Sequence, residues 1–322
     1  MRAVVCPALG VAPASADIEP PSLGPGRVRI AVAAAGVNFA DTLMVAGKYQ
    51  EQLAPPFVPG FELAGTVLEA ASGVDTCRPG DRVLAIVAGG AFAEQAVAEA
   101  ADVFALPDSV DTVTAAGIAV AYGTSHMALT RMARIGAGET LVVHGAGGGV
   151  GLTAVEIGAA LGARVIATAG GPDKLQAALE RGAEAAIDSR AEEVRERIKA
   201  LTGGRGADVV YDPVGGKLFE ASLRSTAPGG RILVIGFASG EVPQIPANLL
   251  MVKNLAVIGF NWGAYRRLDP LALRRSMAEM LGWWAAGRLR PPVPTTLPLA
   301  QAAEALARIK ARKVTGKIVL TV

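Results

Sequence analysis

Leu141-Val142-Val143-His144-Gly145-Ala146-Gly147-Gly148-Gly149-Val150-Gly151 sets the architecture of the chain's second half. A short apolar run ending at His144 reads as a buried strand. The glycines make a tight turn, and Val150 to Leu161 reads as the helix that the turn opens. Strand, glycine turn and helix in that order form a cradle for a pyrophosphate. Backbone without Cβ atoms permits close approach, and the helix start offers free N–H groups and a positive dipole end. Ala146 stands at the first glycine place of a strict GxGxxG, while Gly148 and Gly151 hold the other two. Gly145 to Gly151, with Ala146 and Val150 inside the run, are therefore the expected cofactor-binding residues.

Downstream the pattern repeats. Strands are expected at Arg164 to Thr168, Ala185 to Asp188, Asp208 to Tyr211, Arg231 to Ile235 and Leu255 to Gly259. Helices are expected around Lys174 to Glu180, Glu192 to Leu201 and Leu218 to Ser225. Strands this apolar are buried on both faces, as in a doubly wound parallel sheet. In such sheets an acid about 20 residues past the glycines binds the ribose of NAD. Here that place falls at Ala169 or Gly170, neither of them acidic. Lys174 and Arg190 follow instead, and suit a 2′-phosphate, which favours NADPH. The competing reading of both is a solvated surface charge.

Upstream, Arg27 to Val37, Glu62 to Ala70 and Arg82 to Val87 read as strands, punctuated by Pro20-Pro21, Gly24-Pro25-Gly26, Pro55-Pro56, Pro59-Gly60 and Pro79-Gly80. A compact β domain is expected. The tail reads as one helix over Leu268 to Ala286, another over Ala300 to Ala311, and a strand over Gly316 to Val322 that returns to the first domain. Composition narrows the function. Two histidines and two cysteines leave little for a zinc centre and at most one disulfide. Lys+Arg 31 against Asp+Glu 29 gives +2, too balanced for a nucleic-acid footprint. No signal-peptide pattern follows Met1, and the uncharged run Thr112 to Thr130 is too rich in small and polar residues to span a membrane. A soluble cytoplasmic protein is expected.

Six segments then bring a family into view: Gly36-Val37-Asn38-Phe39-Ala40-Asp41, Pro59-Gly60-Phe61-Glu62-Leu63-Ala64-Gly65, Gly80-Asp81-Arg82-Val83, the glycine turn, Gly206 to Gly216, and Thr315-Gly316-Lys317-Ile318-Val319-Leu320. In order and spacing the chain resembles the quinone oxidoreductase (zeta-crystallin-like) branch of the medium-chain dehydrogenase/reductase superfamily over nearly its whole length. The resemblance implies an α/β protein with a GroES-like β-barrel domain at residues 1–122 and 262–322, and a Rossmann NADPH-binding domain at 123–261. In the alcohol dehydrogenases of the superfamily, zinc-ligating Cys and His stand where this chain has Asn38 and Phe61. Phe cannot ligate a metal and Asn is a poor zinc ligand, so metal-free chemistry is expected.

The resemblance also suggests roles. The nicotinamide would lie in a cleft between the domains, with Thr124 beside it and Gly236, Phe237, Phe260 and Asn261 at its carboxamide end. Lys317 is an expected cofactor contact. Asn38 and Tyr49 are candidate donors to a developing oxyanion; as alternatives, Asn38 caps a turn and Tyr49 is a packing residue. Phe61, Trp262 and Tyr265 would wall the substrate pocket or pack a core. The implied activity is hydride transfer from NADPH to quinones or α,β-unsaturated carbonyls without zinc. Alternatives are an enoyl-thioester reductase, which Arg266-Arg267 would favour through acyl-CoA, and a low-turnover NADPH-binding sensor or structural protein. A homodimer through the sheet edge near Leu255 to Phe260 is expected.

Overall fold

A computed structural model describes residues 1–322. In chain order the elements are β1 (Arg2–Val5), β2 (Ala14–Asp17), β3 (Arg27–Val37), α1 (Phe39–Val45), β4 (Glu62–Ala70), β5 (Arg82–Ile86), β6 (Gln95–Glu99), β7 (Val103–Ala105), α2 (Thr112–Ala115), α3 (Ala119–Met127), β8 (Thr140–Val143), α4 (Gly149–Ala160), β9 (Arg164–Ala169), α5 (Pro172–Glu180), β10 (Ala185–Asp188), α6 (Val194–Leu201), β11 (Ala207–Asp212), α7 (Gly216–Ser225), β12 (Thr226–Val234), α8 (Ala247–Lys253), β13 (Ala256–Gly259), α9 (Tyr265–Leu268), α10 (Pro270–Ala285), β14 (Thr295–Pro298), α11 (Ala302–Lys310) and β15 (Ile318–Thr321). They divide into two compact units, 1–120 with 265–322, and 121–264.

The first unit is built on β3. From Arg27 to Ala34 it alternates between buried and more exposed positions, the period-two signature of a strand with one face on a core, and Ala34 to Val37 are buried on both faces. It pairs antiparallel with β4, β6 and β15. The tail strand thus returns to the first domain as expected, with Ile318 opposite Val37 and Leu320 opposite Ala35. The full order is β14-β15-β3-β4-β5-β7, with β6 on β3. Val28, Ile30, Leu63, Val83, Phe92, Ile318 and Leu320 lie in its core.

The second unit is a six-stranded parallel sheet in the order β10-β9-β8-β11-β12-β13. This is the doubly wound order of a dinucleotide-binding sheet, with its switch point between β8 and β11. Val142, Ile166, Ile187, Val210 and Ile232 fill its interior. β13 forms one free edge.

Two expected boundaries shift slightly. The helix expected over Leu268 to Ala286 is α10, and the short α9 precedes it. Asp269 leaves helical geometry to accept a hydrogen bond from the Ala272 amide at 3.0 Å, and Pro270, which has no N–H, opens α10. The division before 262 moves too. Trp262 falls in the second unit, where its indole covers Gly123 so closely that a Cβ there would lie 2.5 Å from the ring.

The β3–β4 pairing tolerates one glycine position poorly filled by anything else. A Cβ on Gly65 would sit 1.9 Å from the Ala31 carbonyl oxygen, beside a register shift in the pair. Backbone cannot yield there as a side chain would. Gly65→Ala should destabilise the protein by at least about 2 kcal/mol, read as a lower urea midpoint. An unchanged midpoint would show that β3 and β4 separate freely at this point.

Candidate functional site

The glycine turn links β8 to α4 as expected. A Cβ on Gly151 would lie 2.2 Å from the Gly145 carbonyl oxygen, and one on Gly147 would lie 2.5 Å from Lys174 Cβ. The stem of Lys174 therefore lies over the turn. Arg190 comes down on the next glycines: a Cβ on Gly170 would meet its Nε at 2.4 Å, and Gly171 has φ +96°. The Arg190 amide is held by Asp188 Oδ1 at 2.9 Å. Both basic residues expected to meet a 2′-phosphate thus converge on the carboxyl ends of β8 and β9. Ala169, at the end of β9, is buried.

Across the switch point, Asp212 organises the end of β11. Its Oδ1 accepts from the Val214 and Gly215 amides at 2.7 and 2.9 Å. Pro213 and Val214 then face Gly145. Asp212 Oδ2 is buried without a hydrogen-bond partner. Gly236 and Phe237 follow β12, Phe260 and Asn261 follow β13, and Phe237 and Asn261 are exposed. His144 is wholly buried, its ring nitrogens bonded to Thr168 Oγ1 at 2.8 Å and Ser222 Oγ at 2.7 Å. Burial pushes its pKa down, so it stays neutral and structural at pH 7. Thr124 is buried in α3, one residue from the Trp262-covered Gly123. The Trp262 indole N–H is buried and unpaired.

The first unit holds a separate polar cluster. Lys317 Nζ donates to Glu62 Oε1 at 2.6 Å and to Asn38 Oδ1 at 2.5 Å. Asn38 Nδ2 donates to the same Glu62 oxygen at 2.9 Å, and the Val120 amide donates to Glu62 Oε2 at 2.9 Å. Glu62 has no exposure at all. This network fixes which end of the Asn38 amide faces which way, and leaves one of its N–H bonds unassigned. Lys317, expected to meet the cofactor, is engaged with Glu62 here, because a fully buried carboxylate requires a cation. Asn38 also opens α1: its amide donates to Asp41 Oδ2 at 2.7 Å. Asp41 is fully buried and its Oδ1 has no partner.

Tyr49 and Phe61 pack ring on ring, with centroids 5.1 Å apart and planes tilted by 52°. Phe61 is only 8% exposed and joins Cys6, Met44 and Phe57 in a small core. The packing reading holds for Phe61, while Tyr49 is half-buried at its border. Burial and the nearby Glu51 keep the Tyr49 phenol protonated beyond its ordinary range. Tyr265 is half-buried at the start of α9. Arg266 and Arg267 are both committed, to Asp102 at 2.7 Å and Glu51 at 2.5 Å. Both thiols are buried and free.

The sequence gives no sign of the Glu62–Lys317 ion pair or of the Tyr122–Glu156 hydrogen bond. No local signal marks either, since Glu62 and Lys317 are 255 positions apart and Tyr122 and Glu156 are 34 apart.

Desolvation pushes the Asp41 carboxyl from 3.8 up to about 7, against the pull of the Asn38 amide and Lys317; Glu62 adds to the rise. The unfolded carboxyl loses its proton near pH 4, the folded one near 7, so between them the native state holds the extra proton. Its contribution to stability therefore falls as pH rises through that window and is fully lost above it. Asp41→Asn keeps an acceptor for the Asn38 amide and removes the titration. Its stability relative to wild type should climb from pH 4 to 7 and then level, by urea unfolding across pH; parallel profiles would refute the shift.

Comparison with known proteins places this geometry. Residues 24–108 match a family model described as the alcohol dehydrogenase GroES-like domain, and residues 149–281 match one described as zinc-binding dehydrogenase. A quinone oxidoreductase-like protein 2 homolog from Nematostella vectensis is 41% identical over 99% of this chain and 88% of its own length. A segment making up 15% of a mycocerosic acid synthase-like polyketide synthase from Mycobacterium tuberculosis is 34% identical over 96% of this chain. Escherichia coli quinone oxidoreductase, solved in complex with NADPH, superposes with a TM-score of 0.93 at 29% identity over the full length of both chains. Whole-length identity, both domain matches and the shared fold together make the chain a member of the medium-chain dehydrogenase/reductase family, in its quinone oxidoreductase branch.

Proposed function

We propose that the protein is an NADPH-dependent oxidoreductase that reduces quinones or α,β-unsaturated carbonyls without zinc. The observation that carries this reading is that Lys174 lies over the glycine turn and Arg190 over Gly170 at the end of β9, where an NAD-selective sheet would need an acid. The cradle suits the cofactor: a Cβ at Gly147 or Gly151 would close the turn. When bound, NADPH supplies the hydride.

The chain supplies position and electrostatics. Turn amides and the start of α4 hold the pyrophosphate. Lys174 and Arg190 bind the 2′-phosphate. Thr124 and the backbone at Gly236, Phe237, Phe260 and Asn261 orient the nicotinamide. Lys317 and Glu62 hold the Asn38 amide so that its remaining N–H donates to an oxygen gaining charge. Tyr49, kept protonated by burial, is the second donor. Trp262 and Tyr265 form apolar wall. The donor set at the place of the alcohol dehydrogenase ligands does not fit zinc: Phe61 has no donor atom, and the Asn38 amide oxygen is taken by Lys317.

The enoyl-thioester reading is favoured by the polyketide synthase similarity. It loses the support of Arg266 and Arg267, whose charges are already paired. NADPH oxidation by EDTA-treated enzyme should proceed with 1,4-benzoquinone and with an enone, and more slowly with crotonyl-CoA. Dominant turnover of crotonyl-CoA would select the thioester reading, and NADPH binding without any turnover would leave a sensor or structural protein. Lys174→Ala should weaken NADPH by about tenfold and NADH by far less, the loss of a charge-assisted phosphate contact. Equal losses in titrations of the two would place the 2′-phosphate elsewhere.

A further inference from the structure

We propose that Ser125, Thr153, Tyr122 and Glu156 form a clasp that sets Thr124 at a fixed place relative to the glycine turn, and so act as positioning residues for the nicotinamide half of the cofactor. The inference rests on the dinucleotide reading above.

The adenosine side of the site is fixed by Lys174 and Arg190 at the ends of β9 and β10. By strand order the other half of a dinucleotide extends over β11 to β13. α3, which carries Thr124, is tied to both sides of that switch point. Ser125 Oγ bonds the Val150 carbonyl at 3.0 Å, Thr153 Oγ1 at 2.8 Å and Tyr211 Oη, in β11, at 3.0 Å. Thr153 Oγ1 also lies 3.1 Å from the Ala121 carbonyl, and its single proton can serve only one of that carbonyl and Ser125 Oγ. One turn further along α4, Glu156 accepts from Tyr122 Oη, with Arg181 3.8 Å from its other oxygen.

All of these side chains are buried, Ser125 and Tyr211 completely. Holding two helices together does not require them. Between α3 and α4, apolar residues of the same size would pack without the desolvation cost of a carboxylate and three hydroxyls. What hydrogen bonds add is a single register. On α3 the small residues Ala119 and Ala121 give packing little shape to lock, and the close Trp262 contact holds the helix at Gly123 alone. The clasp therefore fixes Thr124 against the first turn of α4 rather than merely adding stability.

Ser125→Ala and Thr153→Val remove bonds with little change of volume; Thr153→Ser restores the hydroxyl, and Tyr122→Phe tests the second contact. Affinity for adenosine 2′,5′-bisphosphate, which reports only the adenosine side, should stay within about twofold of wild type, while single-turnover oxidation of NADPH by 1,4-benzoquinone, which takes the hydride, slows about ten- to hundredfold. Thr153→Ser should recover most of the rate. Parallel loss of fragment binding and rate would mark a structural role and overturn the clasp, as would an unchanged rate in folded Ser125→Ala and Tyr122→Phe. Wild-type protein that binds neither ligand would instead overturn the cofactor reading, and the clasp with it.

Discussion

Lys317 Nζ and Glu62 Oε1 meet at 2.6 Å inside the first unit, joining positions 255 apart in the chain. A carboxylate with no exposure is expensive to bury, and the interior returns that cost only when its lone pairs are occupied. Glu62 meets this condition fully: Lys317 and Asn38 share one oxygen and the Val120 amide takes the other. Each donor comes from a different element, namely the approach to β15, the loop before α1, and α3. Placing β15 beside β3 therefore brings Lys317 to the buried Glu62, and the tail strand, paired with β14 on its other side, acquires a fixed address. The same contacts fix the Asn38 amide. A structural ion pair and a candidate donor are one object.

The second unit depends on backbone proximity in place of charge. At Gly151 the turn passes so close to its own Gly145 carbonyl that no side chain fits, and at Gly147 and Gly170 the space a Cβ would fill belongs to Lys174 and Arg190. The glycines thus have two uses. They suit the approach of a pyrophosphate to the backbone, and they let the stem of Lys174 lie along the turn and Arg190 lie against the end of β9.

Much of this was legible locally. β3, β4 and β10 run over the residues their β-branched patterns predict, because pleat alternation and flanking turn residues are written within a few positions. Lys174 and Arg190 could be named because strand, turn and helix have a fixed spacing. The break at Asp269 was legible in principle: an aspartate before a proline is a helix start, and the apolar run across it masked the signal. Other features were not legible at any window. Phe61 packs against Cys6 and Phe57, and Trp262 sits over Gly123; both partnerships arise from tertiary proximity that periodicity does not encode. The motif around Lys317 is recognisable, but its partner Glu62 lies 255 positions away, beyond any sequence window.

The scarcity of histidine and cysteine acquires a structural meaning from this cluster. Where related alcohol dehydrogenases hold zinc, this chain puts a phenyl ring committed to a small core and an amide held at both ends. A metal stabilises a developing alkoxide through full charge, with no dependence on a single direction. An oriented N–H is weaker and directional, and it acts best on an oxygen whose position is already set and whose acceptor carbon is already electrophilic. Lys317 adds positive charge behind the Asn38 amide, polarising it through Oδ1 and strengthening the donor at Nδ2. In the proposed reading an oriented N–H suits quinones and conjugated carbonyls, whose acceptor carbon is already electrophilic, and Phe61 offers a zinc ion no donor atom.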